Sequence, residues 1–397
     1  MMAGALEGLR VIDASRVLAG PFAAQILADH GADVVKVEGP EGDECRGFGP
    51  PFVEGSAAYF NAVNRNKRAI TLDMGSEAGR EVFWTLLESA DVLIENFKAS
   101  TLRAWGIESP LEITRRLPRL VHCRITGFGD DGPLGELPGY DAVVQALSGL
   151  MSINGEPGRL PVRLGSPIVD MCTGMNAALA ALLALHERNG TGRGQMADVA
   201  LYDSGVSMAH PYLANFLASK VPPRPVGNGH PNIVPYDLFE TAGAPIFVAV
   251  ANNRQFRLLA QLLGAPGLAD DPRYASNGLR VENRATLEAE LKRLFGQVRG
   301  EAFGEELLRK GVPAAAILDV GTVAQAPHTL HRQMVMDEEG YSGPGIPVKL
   351  ARTPGALRRR PPRLDEHRDE VLMAYGFSAA QIRALAERGV FGAEREP

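Results

Sequence analysis

The chain offers few residues whose type and spacing announce chemistry on their own. Gly127-Phe128-Gly129-Asp130-Asp131-Gly132 spells a G-x-G-x-x-G fingerprint after a predicted strand. A dinucleotide site needs a helix opening directly behind those glycines, so that its N-terminus faces the pyrophosphate. Pro133, Gly135, Pro138 and Gly139 follow instead, so the segment reads as a loop. Glu38 ends a predicted strand where a nicotinamide enzyme places its ribose-binding acid, but the turn from Ala14 to Pro21 has only Gly20. The eight histidines show no metal-ligand spacing, and neither H-E-x-x-H nor G-x-S-x-G occurs. His328 and His331 stand three apart in a Pro-flanked loop and read as surface residues. Asp170 directly precedes a long apolar stretch. A carboxylate there reads by itself as an ordinary helix N-cap, which explains the residue without chemistry.

These residues must be positioned by an α/β scaffold. Short apolar runs predict strands at Leu9–Asp13, Asp33–Glu38, Arg68–Asp73, Asp91–Glu95, Leu120–Thr126 and Met196–Leu201. Between them lie predicted helices at Gly20–Asp29, at Ser76–Ala90 with Ser76 as N-cap, and at Asp170–Arg188. Alternating strands and helices imply an open parallel sheet covered on both faces. A cluster of prolines and glycines from Val221 to Pro235 reads as a linker. Beyond it a smaller α/β unit is expected: strand Ile246–Ala251, helix Arg254–Leu263, helices within Arg284–Gln297 and Glu301–Lys310, and strand Pro313–Leu318. From Thr322 the chain reads as loop, ending in a helix near Ser378–Arg388. The expected division is 1–220 as the large domain, 221–320 as linker and small domain, and 321–397 as a segment returning to the large one.

The chain has 397 residues and a net charge of −6. That length exceeds what one core usually fills, which again argues for two domains. The run Arg358-Arg359-Arg360 beside Pro361 reads as solvated tail, not as a nucleic-acid patch. Three cysteines without a C-x-x-C pair argue against a disulfide framework or zinc site and suit a reducing compartment. Asn189-Gly190-Thr191 matches a glycosylation sequon and reads as a turn. No segment reaches the roughly 20 apolar residues that span a bilayer, so a cytoplasmic protein without membrane or nucleic-acid partners is expected.

Several ordered motifs resemble the class III CoA-transferases, the family of formyl-CoA transferase, carnitine CoA-transferase and α-methylacyl-CoA racemase. They begin with Leu6-Glu7-Gly8-Leu9-Arg10-Val11-Ile12-Asp13, Ala19-Gly20-Pro21 and Leu27 to Glu38. They continue through Asn66-Lys67-Arg68, Glu95-Asn96-Phe97, Thr126-Gly127-Phe128-Gly129, Tyr140-Asp141, Asp170 with Gly174, and Thr191 to Gln195. His230 to Tyr236 opens the small domain. The resemblance spans nearly the whole chain. It implies a Rossmann-like large domain, a smaller α/β domain and a homodimer of two interlocked ring-shaped subunits. It implies no permanently bound cofactor, with coenzyme A and acyl-CoA as substrates beside a small carboxylic acid.

By the same resemblance, Asp170 is the nucleophile that forms a mixed anhydride and then an aspartyl-CoA thioester. Val17, Leu72, Asn96 and Phe97 match positions that touch CoA, and Arg103 is a candidate for a phosphate contact. Tyr140, Arg163, Asn252, Asn253 and Arg254 are substrate candidates. Two departures from formyl-CoA transferases stand out. Gly39 replaces a basic residue after Glu38, and Val250 to Arg254 replaces a glycine-rich loop. Asn252-Asn253-Arg254-Gln255-Phe256 resembles the branch that uses succinyl-CoA and other dicarboxylic acids. The alternatives are a racemase and a non-catalytic CoA-binding protein. Racemases of this family place His-Asp where this chain has Tyr140-Asp141, and tyrosine, with a pKa near 10, is a poor base at neutral pH.

Overall fold

The computed structural model describes residues 4–338 and 340–392. The chain separates into two compact units, one built from 1–148, 165–208 and 327–397, the other from 149–164 and 209–326. The segments 149–164 and 209–220, expected in the large domain, therefore cluster with the second unit. The Pro-rich stretch after Val221 lies inside that unit, not at a boundary.

The first unit is a six-stranded sheet. Its strands are β1 (Arg10–Ala14), β2 (Asp33–Glu38), β3 (Lys67–Thr71), β4 (Val92–Glu95), β5 (Val121–Thr126) and β6 (Met196–Ala200). Every pairing is parallel and the order is β3-β2-β1-β4-β5-β6. The sequences RVIDA, DVVKVE and VLIE are almost wholly buried, as expected of strands covered on both faces. The strand order reverses between β1 and β4. In such sheets ligands lie beyond the carboxyl ends of the strands at that reversal.

Helices α1 (Ala19–Asp29) and α5 (Ile168–Thr191) pack together against the sheet. Both helices bury many small residues: Ala19, Ala23 and Ala28 on one, Ala177, Ala178 and Ala181 on the other. Gly174 makes the approach possible. A Cβ there would lie 2.7 Å from the Ala19 carbonyl oxygen and 2.9 Å from the Phe22 ring. Helix α2 (Glu77–Glu88) is capped by Ser76, whose side chain accepts from Gly79 N, and buries Val82, Phe83, Leu86 and Leu87. Each such side chain contributes about 1.5–3 kcal/mol by leaving water. Helices α3 (Ala99–Ala104) and α4 (Asp141–Leu147) follow β4 and precede α5 respectively.

Helix α5 corrects one expectation. By length and composition its 24 residues suffice to cross a membrane. One face carries the buried alanines, while Met175, Leu179, Leu182 and Leu183 form an exposed apolar stripe. Helix periodicity puts these four on one side.

The second unit has a three-stranded antiparallel sheet, ordered β9-β8-β7. Its strands are β7 (Tyr236–Phe239), β8 (Ile246–Ala249) and β9 (Ala314–Ala316). Helices α6 (Asn253–Leu262), α7 (Arg284–Phe295) and α8 (Gly300–Arg309) cover it. Phe239 stacks on Phe295 with ring centroids 4.3 Å apart, beside buried Phe256, Leu259, Leu287 and Leu291.

Residues 327–392 complete the first unit. Helices α9 (Arg368–Ala374) and α10 (Ala379–Glu387) add Val371, Leu372 and Ile382 to the core under β1, β2 and β3. A Ser378–Gln381 capping box starts α10. The expected loop after Thr322 contains a hairpin, Val335–Glu338 with Tyr341–Pro344. The arginine run is anchored while staying largely solvated: Arg358 and Arg359 are exposed, yet Arg358 donates to the carbonyls of Ala28 and Asp29, and half-buried Arg360 pairs with Glu366.

Candidate active site

A cavity of about 210 Å³ opens in the first unit at the carboxyl ends of β1, β4 and β5. Arg16 and Val17 border it from the turn after β1, Asn96, Phe97 and Lys98 from the turn after β4, and Thr126 to Tyr140 from the loop after β5. Asp170 completes it from the first turn of α5. This is the strand-order reversal, where a doubly wound sheet leaves a crevice.

The turn after β1 is held by buried charge. Val17 adopts φ 69°, a left-handed conformation that a β-branched residue avoids. Its N–H donates to both carboxylate oxygens of Asp43, at 3.2 Å each. Lys36 Nζ donates to Asp43 and to the Ser15 carbonyl, both at 3.0 Å. A second fully buried pair, Lys67 with Asp13 at 2.8 Å, lies beneath, and Asp13 also accepts from the Ser15 hydroxyl. Burial pushes the Asp43 carboxyl up, but Lys36 and the Cys45 hydrogen bonds outweigh it and leave it at about 2. The strained turn is thus fixed by an ionised pair that has no access to water.

The turn after β4 is fixed from both sides. Asn96 accepts from Arg16 N and donates to Arg16 O, each at 3.0 Å. Glu95 accepts from Phe97 N at 2.6 Å and from both His122 and Arg124 at 2.9 Å. Arg124 reaches on to the Phe97 carbonyl and forks onto Asp130. Phe97 also packs edge-on against Trp105, with centroids 4.8 Å apart. In the loop after β5, Gly127 and Gly139 touch: a Cβ on Gly127 would sit 2.7 Å from Gly139 N.

Asp170 is not the N-cap of α5. The helix begins at Ile168, two residues before it, with Pro167 at the cap position and no side-chain cap there. Asp141, at the start of α4, supplies the missing acceptor, taking N–H from Val169 at 2.8 Å and from Asp170 itself at 3.2 Å. Gln145 holds the other Asp141 oxygen at 2.6 Å. Burial pushes the Asp170 carboxyl up, and the neighbouring Asp141 charge adds to it, bringing it to about 7. Tyr59 is a further neighbour: burial raises its phenol to about 12, with the Asp170 charge contributing.

The structure gathers Val17, Asn96, Phe97, Tyr140 and Asp170 around one cavity. Tyr140 is 61% exposed there. Leu72 is fully buried in the core. Arg103 forms a two-point pair with Glu136, both contacts at 2.9 Å, and it is Glu136 that borders the cavity. The remaining candidates belong to the second unit. Arg163 donates to the Leu164 carbonyl. Asn252 caps α6 by accepting from Gln255 N. Asn253 accepts from buried Arg280 and donates to Ala275 O, and Arg254 follows in the first turn of α6. Sequence reasoning missed the capping role of Asp141, the Tyr59 neighbour and the Asp43 anchor. Each depends on contacts between residues far apart in the chain.

Comparison with known proteins now adds to this geometry. The family model described as CoA-transferase family III matches residues 6–368. A succinate–glutarate CoA-transferase of Agrobacterium fabrum is 40% identical over 384 residues, covering 92% of this chain and 94% of that one. A succinyl-CoA:mesaconate CoA-transferase of Haloarcula hispanica is 38% identical, covering 97% of this chain and 100% of its own. Among solved structures, a CAIB/BAIF family protein from Brucella suis is 41% identical with a TM-score of 0.83, covering 94% of this chain and all of that one.

Proposed function

The chain belongs to CoA-transferase family III, and from that premise we propose that it moves CoA from a dicarboxylyl-CoA, succinyl-CoA first among them, to a second carboxylic acid through covalent intermediates on Asp170. The observation that carries the reading is the state of that carboxylate. It is half-buried, it faces the crevice beyond β1 and β4, and no hydrogen-bond donor takes it among the described residues. A carboxylate with few partners retains its nucleophilicity, because no hydrogen bond must break before it attacks.

Asp170 attacks the donor thioester carbonyl, forming a C–O bond as the C–S bond breaks. The products are a mixed anhydride and CoA thiolate. The thiolate then attacks the Asp170 Cγ, forming an aspartyl-CoA thioester and releasing the donor's acid. The acceptor carboxylate attacks that thioester and expels the thiolate again. Finally the thiolate takes the acceptor's acyl group, and Asp170 leaves as a carboxylate. Electrons and protons balance without a redox step. Both intermediates react with water, so the chemistry requires water to be kept from the crevice while they persist.

The dicarboxylic substrate class is supported by the relatives named for succinate, glutarate and mesaconate. Arg163 and Arg254 are the candidates for the distal carboxylate. Tyr140, where a racemase would carry a basic histidine, favours transfer over proton abstraction. A second copy of this chain is the proposed occupant of the apolar stripe on α5. Three free thiols fit a reducing, cytoplasmic setting.

The test is acyl exchange. Purified protein and its Asp170→Ala variant are incubated with succinyl-CoA and a panel of free mono- and dicarboxylates, and new acyl-CoA species are read by mass spectrometry. The expected result is exchange by the parent with dicarboxylates and a loss of at least about a thousandfold in the variant. Equal exchange by both forms overturns the role of Asp170.

A further inference from the structure

Asp141 reaches the start of α5 from a different element, so α4 must be seated closely against it. The loop after β5 delivers α4, and that loop closes on itself. A Cβ on Gly127 would lie 2.7 Å from Gly139 N and 2.9 Å from Gly139 Cα, and one on Gly139 would lie 2.8 Å from Gly127 Cα. Backbone faces backbone, so neither position accepts a side chain unless the chain moves. Gly127 is itself pinned, since its carbonyl accepts from Tyr202 N at 3.0 Å. Gly139 therefore rests on a fixed point two residues before Asp141.

The far end of α4 is seated in the same way. The helix Leu201–Ser207 packs on both α4 and α5. Buried Gly205 lies in its interior, where glycine weakens a helix relative to alanine. A Cβ there would lie 2.8 Å from Ser148 Oγ, 2.9 Å from Ser148 Cβ and 3.3 Å from Val144. Asn176 of α5 donates to Ser204 Oγ at 3.1 Å, which ties α5 to the same helix. Both ends of α4 are thus set by the absence of a side chain.

We infer that Gly127, Gly139 and Gly205 are positioning residues for the reactive carboxylate: they let α4 seat close enough for Asp141 to cap the first turn of α5 and stand beside Asp170. The inference rests on the reading of Asp170 as the nucleophile and assigns what sets its surroundings. Burial raises the Asp170 carboxyl most, and the Asp141 charge adds to it. Tyr59 feels the same Asp170 charge from the short helix Ala58–Asn61. Tyr140 borders the cavity, as do Arg16, Glu44, Lys98, Arg124, Asp130 and Glu136. Asp130 and Glu136 lie on the loop that Gly139 closes. A Cβ at Gly205 meets α4 and not that loop, so it tests the seating of Asp141 more cleanly.

The experiment follows kcat/KM for succinyl-CoA against pH and, separately, amide hydrogen exchange by mass spectrometry in the peptide holding Val169 and Asp170. Gly205→Ala and Gly139→Ala are each expected to lower the midpoint by about one pH unit, the scale on which a neighbouring charge moves a carboxyl. Both should speed exchange in that peptide about tenfold, because Val169 N and Asp170 N lose their acceptor. If Gly139→Ala does not fold, Gly205→Ala decides. Gly79→Ala is the control: its Cβ would lie 1.9 Å from the Asp73 carbonyl oxygen in the first turn of α2, so it strains the fold elsewhere. It should lower the melting temperature and leave midpoint and exchange as in the parent. Added to Asp141→Asn, Gly205→Ala should leave the midpoint within roughly 0.3 unit of the single variant, since both act through one charge. The inference is overturned if folded Gly205→Ala keeps the parent's midpoint and exchange. It is also overturned if the shift persists in the Asp141→Asn background, or if Gly79→Ala produces it equally. Exchange needs no acyl transfer, so faster exchange in these variants of an inactive parent would uphold this inference and end the transfer reading.

Discussion

A carboxylate in the first turn of a long helix normally has its charge favoured by the free N–H groups there. In α5 two of those donors, Val169 N and Asp170 N, are already taken by Asp141. Asp170 therefore gains a like charge beside it in place of donors, and burial does the rest. The reactive form of a carboxylate nucleophile is ionised, so kcat/KM should rise with pH and level off above about 7. Asp141→Asn keeps an acceptor oxygen for the two N–H groups but removes the charge, so its midpoint should fall below the parent's while remaining above that of an exposed aspartate. A parent midpoint near 4 would contradict this. The stability consequence has the opposite sign to the usual carboxylate case. The folded pKa lies above the ordinary 3.8, so the folded state bears the full cost above about 7 and sheds it as pH falls through 7 toward 3.8. Asp170→Asn should accordingly be more stable than the parent by roughly 1–3 kcal/mol at pH 8, with the gap narrowing toward pH 5 in thermal melts. Asp170 was visible in the sequence only as a cap candidate or through resemblance. What separates the two readings is two residues of helix start and a partner 29 positions away.

At the scale of elements, the parallel strands were legible because burial on both faces demands unbroken runs such as Val92 to Glu95. Strand β7 was missed because Tyr236-Asp237-Leu238-Phe239 is short and flanked by prolines and glycines. Its partner β8 defines it. The anchor under Val17 was equally hidden. Lys36 and Lys67 sit inside strands where a sequence reading places solvent-facing charge, and only the fold brings Asp43 and Asp13 to them. Removing one partner of such a buried pair leaves an uncompensated charge, a loss of roughly 3–5 kcal/mol. Asp43→Ala is thus expected to lower the melting temperature markedly. Because Val17 N loses its acceptor, it should also raise KM for the acyl-CoA donor at temperatures where the variant is still folded. A variant that melts with the parent and keeps its KM would show that the pair does not hold the turn.

At the scale of the whole molecule, α5 reads in the sequence as one more buried helix, and its alanine face fits that reading. Its other face does not: Met175, Leu179, Leu182 and Leu183 are exposed together. Apolar stripes of this kind mark interaction sites. With a second copy of the chain as the occupant, light scattering should give twice the chain mass for the parent. Leu179→Glu combined with Leu183→Glu should shift it toward the single-chain mass. A parent that scatters as a single chain contradicts this occupant, and binding to lipid vesicles would then point to a membrane surface instead.

The central claim is that CoA passes through a covalent link to Asp170. The most direct measurement is to mix the protein with succinyl-CoA, quench with hydroxylamine, digest, and weigh the peptide containing Asp170. Hydroxylamine converts an aspartyl thioester or anhydride into a hydroxamate, which stays on the side chain. The account predicts a hydroxamate at Asp170 that appears only with the acyl-CoA donor and is diminished by an acceptor acid. An unmodified Asp170 in a preparation that exchanges acyl groups at full rate would contradict it.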